Sequence, residues 1–182
     1  PGFGGCYRLP RVIGIQAALD IILAGKAVDS KKALKLGLID ELVPQALLGE
    51  YAVRFAKEIV AKGSKKRKKY FQPKGAVASI MESFIGRGIV FSQARKMVLK
   101  NTQGHYPAPL KALEVVQAIY GMSDRKKALT IESNAFGEVA ATDISKNLIN
   151  LFYMMEGVKK QTGVSNADAK PLSVGKIAVM GA

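Results

Sequence analysis

Apolar residues recur along most of the chain at the spacing of one helix face. The first stretch with this i, i+3, i+4, i+7 pattern consists of Ile15, Ala18, Leu19, Ile22 and Leu23. Gly25 follows it in the position of a C-terminal cap. A longer stripe begins at Leu47 and stops at Gly63, which predicts a second amphipathic helix.

Residues that favour helix ends mark the other helices. KKALKL stops at Gly37, and further helices are predicted over 76–100, from the YPAP segment onward, and in two stretches before 163. The candidate N-terminal residues are Asp29 or Ser30, Pro109, Ser123 or Asp124, and Asp143. Two glycines, Gly86 and Gly88, are expected to interrupt the helix over 76–100.

The last three predicted helices each carry a stripe of mostly apolar residues. The stripes are Leu110, Leu113, Val116 and Tyr120; Leu129, Glu132, Phe136, Val139 and Ala140; and Leu148, Ile149, Phe152 and Met155. Two short segments, 38–43 (LIDELV) and 176–180 (KIAVM), are predicted to be extended, the second as a buried strand. The pattern therefore predicts a mainly α chain.

Charge and glycine content divide this helical chain. The sequence has 28 basic and 14 acidic residues, a net charge of +14, and a basic run at 65–69 (KKRKK) inside the best linker candidate, 63–75. Such a charge favours anionic partners, and it also fits a basic piece of a more balanced protein. A basic helical module that binds nucleic acid or an anionic membrane surface is therefore one functional hypothesis.

Composition excludes several classes of protein. A hydrophobic fraction of 48% suits a packed core. The single cysteine, Cys6, excludes an internal disulfide and suits a small buried position. No apolar stretch approaches the roughly 18 residues that span a bilayer. With one histidine and one cysteine, a His/Cys metal site is not expected.

Few residues are suited to acid, base or nucleophilic catalysis. His105 has no nearby residue to orient it and is interpreted as a loop residue. The helical acids Glu114, Glu132, Glu138 and Glu156 are interpreted as lying on solvated helix faces. Glu132 and Glu138, six residues apart, are expected to point to different sides of their helix.

Both ends of the chain contain glycine in suggestive places. PGFGG at residues 1–5 could let a ligand approach the backbone, or it could form a plain tight turn. At the other end, Gly181 follows the predicted strand 176–180, as a glycine does at the start of many nucleotide-binding loops.

Four motifs in the first 44 residues closely resemble the crotonase (enoyl-CoA hydratase/isomerase) family. They are PGFGG, RLPR, AALDIILAGK and ALKLGLIDELV, in that family's order and spacing. GHYPAPLKALEVV, ESNAFGEVAAT and the helix LFYMMEGVKK are similar to the connecting region of multifunctional fatty-acid oxidation α subunits. KIAVMGA resembles the first strand of their NAD-binding domain.

The resemblance implies a fold and a domain plan. Residues 1–62 would be the C-terminal part of a crotonase domain, 63–75 a basic linker and 76–175 a helical connecting region. Residues 176–182 would be the first strand of a truncated Rossmann domain. The parent enzyme would hydrate trans-2-enoyl-CoA and oxidise 3-hydroxyacyl-CoA with NAD, without a metal.

The same resemblance implies few site residues on this chain. In the family the two hydratase glutamates lie upstream of PGFGG and the dehydrogenase His/Glu pair lies beyond residue 182, so this chain would be inactive alone. Acyl-CoA contacts are expected at Pro1, Gly2, Phe3, Gly4 and Glu156, and an NAD contact at Gly181. A thiolase β subunit would be the partner, in the cytoplasm or the mitochondrial matrix, with self-association of the fragment and no nucleic acid.

Overall fold

The computed structural model describes residues 2–25, 27–62, 71–161, 170 and 173–178. Over these residues the chain is mainly helical, with no strand. The helices are α1 (Gly5–Ile13), α2 (Ile15–Ala24), α3 (Ser30–Leu36), α4 (Leu48–Lys62), α5 (Gly75–Glu82), α6 (Phe84–Thr102), α7 (Pro107–Ile119), α8 (Arg125–Ala140) and α9 (Asp143–Lys160). A 3-10 turn, Gln45–Leu47, precedes α4.

The chain divides into two compact units, Pro1–Thr142 and Asp143–Ala182. The first unit has one apolar core, built where α1 and α2 pack against α6, α7 and α8. The most deeply buried apolar side chains are Cys6, Ile15, Ala18, Leu19, Leu113, Val116, Ile119 and Ala128. Residues near the start of the chain and residues around 90–135 thus share the same core.

Helix α1 is the element that the apolar pattern did not predict. Its nine residues include Pro10, and it is separated from α2 only by Gly14. Arg11 ties it to the C-terminal end of α7, because its guanidinium donates to the carbonyl oxygens of Ile119 (3.2 Å) and Met122 (2.8 Å). A cation at the carbonyl end of a helix is stabilising.

The predicted helix over 76–100 is interrupted, but not at its glycines. The break lies at Ser83, whose hydroxyl accepts a hydrogen bond from the backbone N–H of Gly86 and so caps α6. Gly86 and Gly88 both lie inside α6. The prediction of an interruption at the glycines was wrong because a serine that caps the following helix ends α5 three residues earlier.

The local cap predictions for α3 and α8 are confirmed. Asp29 accepts a hydrogen bond from Lys32 N (2.8 Å), and Asp124 accepts one from Lys127 N (3.0 Å). The stripe on α7 is largely buried, since Leu113 and Val116 lie in the core. The segment 38–43 forms bends and irregular backbone rather than a strand.

The second unit is described by itself. Helix α9 begins at Asp143, so the predicted capping residue is the first residue of the helix. The apolar stripe of α9 is exposed, including Leu148, Ile149, Phe152 and Met155. Of the predicted terminal strand, 176–178 are described; they form no regular element, and Ile177 is 78% exposed. Residues 179–182 lie outside the described residues, so the strand stays a prediction.

Candidate functional site

The loop of residues 2–4 leads directly into α1 and is seated on one face of α8. Gly4 has φ +84°, the left-handed conformation that glycine adopts without strain. A Cβ atom on Gly4 would also lie 2.9 Å from Leu129 Cδ2, and one on Gly2 would lie 2.7 Å from Phe136 Cγ. The glycines of this loop therefore permit a close approach to α8.

A carboxylate lies between these two contacts. Glu132 is 2% exposed, and each of its oxygens accepts a hydrogen bond from a backbone N–H at the start of α1. Gly4 N donates to Oε1 at 2.9 Å and Tyr7 N donates to Oε2 at 3.2 Å. Leu129, Glu132 and Phe136 are spaced three and four residues apart, so all three contacts with the loop come from one face of α8.

Glu132 does by tertiary contact what a capping box does locally. In a capping box, the N-cap side chain accepts from the N3 N–H, and the N3 side chain reaches back to the N-cap N–H. Here the N-cap is Gly4, which has no side chain, and N3 is Tyr7. One remote carboxylate pairs with both N–H groups, and its negative charge lies at the positive end of the α1 dipole.

Cys6 lies in the same first turn and is buried. Burial, with a smaller contribution from the neighbouring Glu132 carboxylate, raises the pKa of the Cys6 thiol to about 11. A thiol that stays protonated at neutral pH is a poor nucleophile. The structure thus confirms Cys6 as a small buried residue.

A second remote carboxylate lies at the start of α2. Glu82 Oε1 accepts a hydrogen bond from Ile15 N at 2.8 Å, and Oε2 accepts one from the Tyr120 hydroxyl. Burial, together with this hydrogen bond, raises the pKa of Tyr120 above its usual range. Arg87 lies over the Tyr120 ring, 5.2 Å from its centroid.

The residues expected to contact acyl-CoA have different surroundings. Gly2 and Gly4 are covered by α8, whereas the Phe3 side chain is 93% exposed and its carbonyl oxygen accepts from Arg8 Nη1 at 2.5 Å. Glu156 lies in the second unit, where it pairs with Lys159 at 2.6 Å. Pro1 and Gly181 lie outside the described residues.

The interpretation of Glu132 as a solvated acid was wrong. Its side chain points into the first unit because two backbone N–H groups at the start of α1 require an acceptor there. Glu114, Glu138 and Glu156 do lie at the surface, paired with Arg95, Lys111 and Lys159. His105 is an exposed residue between α6 and α7, as expected.

Two features of the sequence could have revealed Glu132. It is the one acid within an otherwise apolar stripe of its helix, between Leu129 and Phe136. In addition, α1 follows PGFG, a segment without a Ser, Thr, Asp or Asn that could cap the helix locally. A helix start without a local cap and an acid on an apolar face are complementary signals.

Other kinds of site receive no support from the described part of the chain. It contains no group of three or more His, Cys, Asp or Glu side chains that could hold a metal ion. Among the same residues, no helix is long and apolar enough to cross a membrane. The basic run 65–69 lies outside the described residues, so binding of an anionic partner there stays a prediction.

The sequence of this chain is similar to those of known proteins. Residues 1–74 match the family model for enoyl-CoA hydratase/isomerase. Over its whole length the chain is 44% identical to the fatty acid oxidation complex subunit alpha of Shewanella amazonensis. It is 40% identical to that of Vibrio vulnificus and 42% identical to that of Shewanella frigidimarina. The chain spans 24% of the length of each of these relatives.

Proposed function

Because the chain belongs to the family of fatty acid oxidation complex alpha subunits, we propose that it is a segment of an enzyme that hydrates trans-2-enoyl-CoA. The observation that carries this proposal is the match of residues 1–74 to the enoyl-CoA hydratase/isomerase model. The loop of residues 2–4 lies within that match. Its glycines pack closely against α8, and Glu132 of α8 accepts a hydrogen bond from Gly4 N. Pro1, Gly2, Phe3 and Gly4 are the proposed acyl-CoA contacts, with Glu156 as a further one.

The second proposed activity is the NAD-dependent oxidation of 3-hydroxyacyl-CoA. It is supported by the similarity of the whole chain, including residues 105–182, to alpha subunits of fatty acid oxidation complexes. Gly181 is the NAD contact that this proposal assigns to the chain. A thiolase β subunit is the proposed partner, and the cytoplasm or the mitochondrial matrix is the proposed location.

The 182 residues alone are proposed to be inactive. Addition of water to an enoyl thioester needs groups that move protons and donors that stabilise the enolate. In the resembled family these groups lie upstream of PGFGG, and the dehydrogenase residues lie downstream of KIAVMGA. On this proposal, the chain contributes one wall of the hydratase site and the start of the NAD-binding domain.

Turnover assays on two proteins test the proposal. The full gene product that carries this sequence is expected to hydrate crotonyl-CoA and to reduce NAD with 3-hydroxybutyryl-CoA. The purified 182-residue chain is expected to do neither. A full gene product without hydratase activity would contradict the function, whereas turnover by the short chain, free of host enzyme, would contradict only its inactivity.

A further inference from the structure

We propose that Glu132 is a positioning residue for enoyl-CoA hydration, acting through the backbone of the loop of residues 2–4. This inference rests on the proposed hydratase function. Glu132 does not reach the substrate in this role, because both carboxylate oxygens are already engaged by Gly4 N and Tyr7 N. It acts by fixing the direction in which the backbone of the loop points.

Three contacts fix the loop from the side of the protein interior. Glu132 accepts the hydrogen bond of Gly4 N, the Phe136 ring lies where a Cβ atom on Gly2 would stand, and the Leu129 side chain lies close to where a Cβ atom on Gly4 would stand. A fourth contact, from Arg8 Nη1 to the carbonyl oxygen of Phe3, closes the loop back onto α1. Phe3 is 93% exposed, and its side chain points away from these contacts with α8.

The charge of Glu132 matters as well as its position. The Gly4 and Tyr7 N–H groups both require an acceptor, and a carboxylate provides one on each oxygen. A glutamine of the same size has one acceptor oxygen, and its NH2 group would face the other N–H. Glu132→Gln therefore removes the acceptor of either Gly4 N or Tyr7 N and places an NH2 group against a backbone N–H, which disturbs the junction of the loop and α1 with almost no change in volume.

Loop position affects the chemical step more than substrate capture. Misplacement of a site wall by about 1 Å can lower a rate by roughly 100-fold. An interaction that serves only the reacting geometry lowers kcat and leaves KM nearly unchanged. A loss of folded protein also lowers the apparent kcat at constant KM, in proportion to the unfolded fraction, so a readout of the folded state that is independent of turnover is needed to separate the two.

The test uses the full gene product, assayed for hydration of crotonyl-CoA. We expect Glu132→Gln to lower kcat by roughly 10- to 100-fold with a change in KM below about threefold. Two matched controls should keep kcat near the wild-type value: Glu82→Gln, which weakens the other remote cap, and Glu138→Gln, an exposed change on the same helix. Phe136→Ala, at a half-exposed position, should lower kcat severalfold without unfolding the protein.

Hydrogen exchange monitored by mass spectrometry provides a readout that is independent of turnover. In Glu132→Gln, peptides covering residues 2–8 should exchange roughly tenfold faster, while peptides from α7 keep the wild-type rate. An active wild type with unchanged kcat in both Glu132→Gln and Phe136→Ala would overturn the positioning role alone. An equal loss of kcat in Glu82→Gln would also overturn it, and an inactive wild type would overturn the proposed function and this inference together.

Discussion

Helices α1 and α2 begin in the same way and are completed differently. Each follows a glycine, Gly4 or Gly14, that provides no side-chain cap, and each receives a carboxylate from a distant part of the chain. At α1, Glu132 is buried and both of its oxygens bind backbone N–H groups. At α2, Glu82 is only partly buried and divides its oxygens between Ile15 N and the Tyr120 hydroxyl.

The difference shows how a tertiary contact can serve two purposes. The Glu132 cap fixes a loop and a helix start together, because the N–H of the N-cap residue belongs to the loop. The Glu82 cap joins α2 to α5 and α7 within the interior of the unit. The first contact is therefore expected to matter for both stability and activity, and the second for stability.

Removal of the α1 cap should have the largest effect on folding. Glu132→Ala leaves the Gly4 and Tyr7 N–H groups without an acceptor in a buried place, and the free energy of unfolding should fall by about 3 kcal/mol. Urea denaturation of the 182-residue chain, followed by circular dichroism, measures this loss. Glu138→Ala, on the same helix, should change it by less than about 0.5 kcal/mol. Equal losses in the two variants would show that burial at position 132 is unimportant.

Removal of the α2 cap should cost less. Glu82→Ala leaves Ile15 N and the Tyr120 hydroxyl without this partner, but the site is only partly buried and water can replace the carboxylate. The expected loss is about 1–2 kcal/mol. Tyr120→Phe, which removes only the hydroxyl, should lose about half of that. The comparison between the two helix starts would fail if Glu82→Ala destabilised the chain more than Glu132→Ala does.

The local cap at the start of α8 should make the next smaller contribution to stability. Asp124→Ala removes the hydrogen bond from Lys127 N at the exposed start of α8 and should cost about 1 kcal/mol. Asp124→Asn keeps an acceptor and should recover most of this loss. The same urea titration measures both variants. A cost above that of Glu132→Ala would argue that local caps, rather than the remote carboxylates, dominate the stability of this unit.

The smallest effect at neutral pH concerns the thiol beside the α1 cap. The pKa of Cys6 is raised from 9.0 to about 11, so the neutral thiol is favoured in the folded state. This preference for the neutral thiol contributes fully to the free energy of unfolding below pH 9, and the contribution is lost as the pH rises toward 11. Unfolding free energies measured from pH 8 to 11 should fall less steeply in Cys6→Ala. Identical slopes would show that folding does not raise the pKa of Cys6.

Local patterns in the sequence determined most of the helices and their ends. Asp29, Asp124 and Gly37 lie where their residue types favour a cap, and the helices they bound were predicted. Such signals succeed because a cap and the N–H group it pairs with are separated by only a few residues. The stripe on α7 was predictable for the same reason, since its period of 3.6 is a property of a single helix.

Only the tertiary structure decided what surrounds the loop of residues 2–4. Glu132 is 128 residues from Gly4, and Glu82 is 67 residues from Ile15. Each is one acid among fourteen in the sequence. The apolar stripe of α8 can mark Glu132 as an acid on a buried face, but the pattern of a single helix cannot identify the distant backbone N–H groups that it pairs with. The apolar stripe on α9 shows the same limit, because hydrophobicity identifies a face and only packing determines whether it is buried. The sequence by itself determined most of the helical segments and the family that they resemble. Packing decided that a carboxylate from α8 holds the glycine loop, because a buried N–H group must be paired wherever the chain brings an acceptor to it.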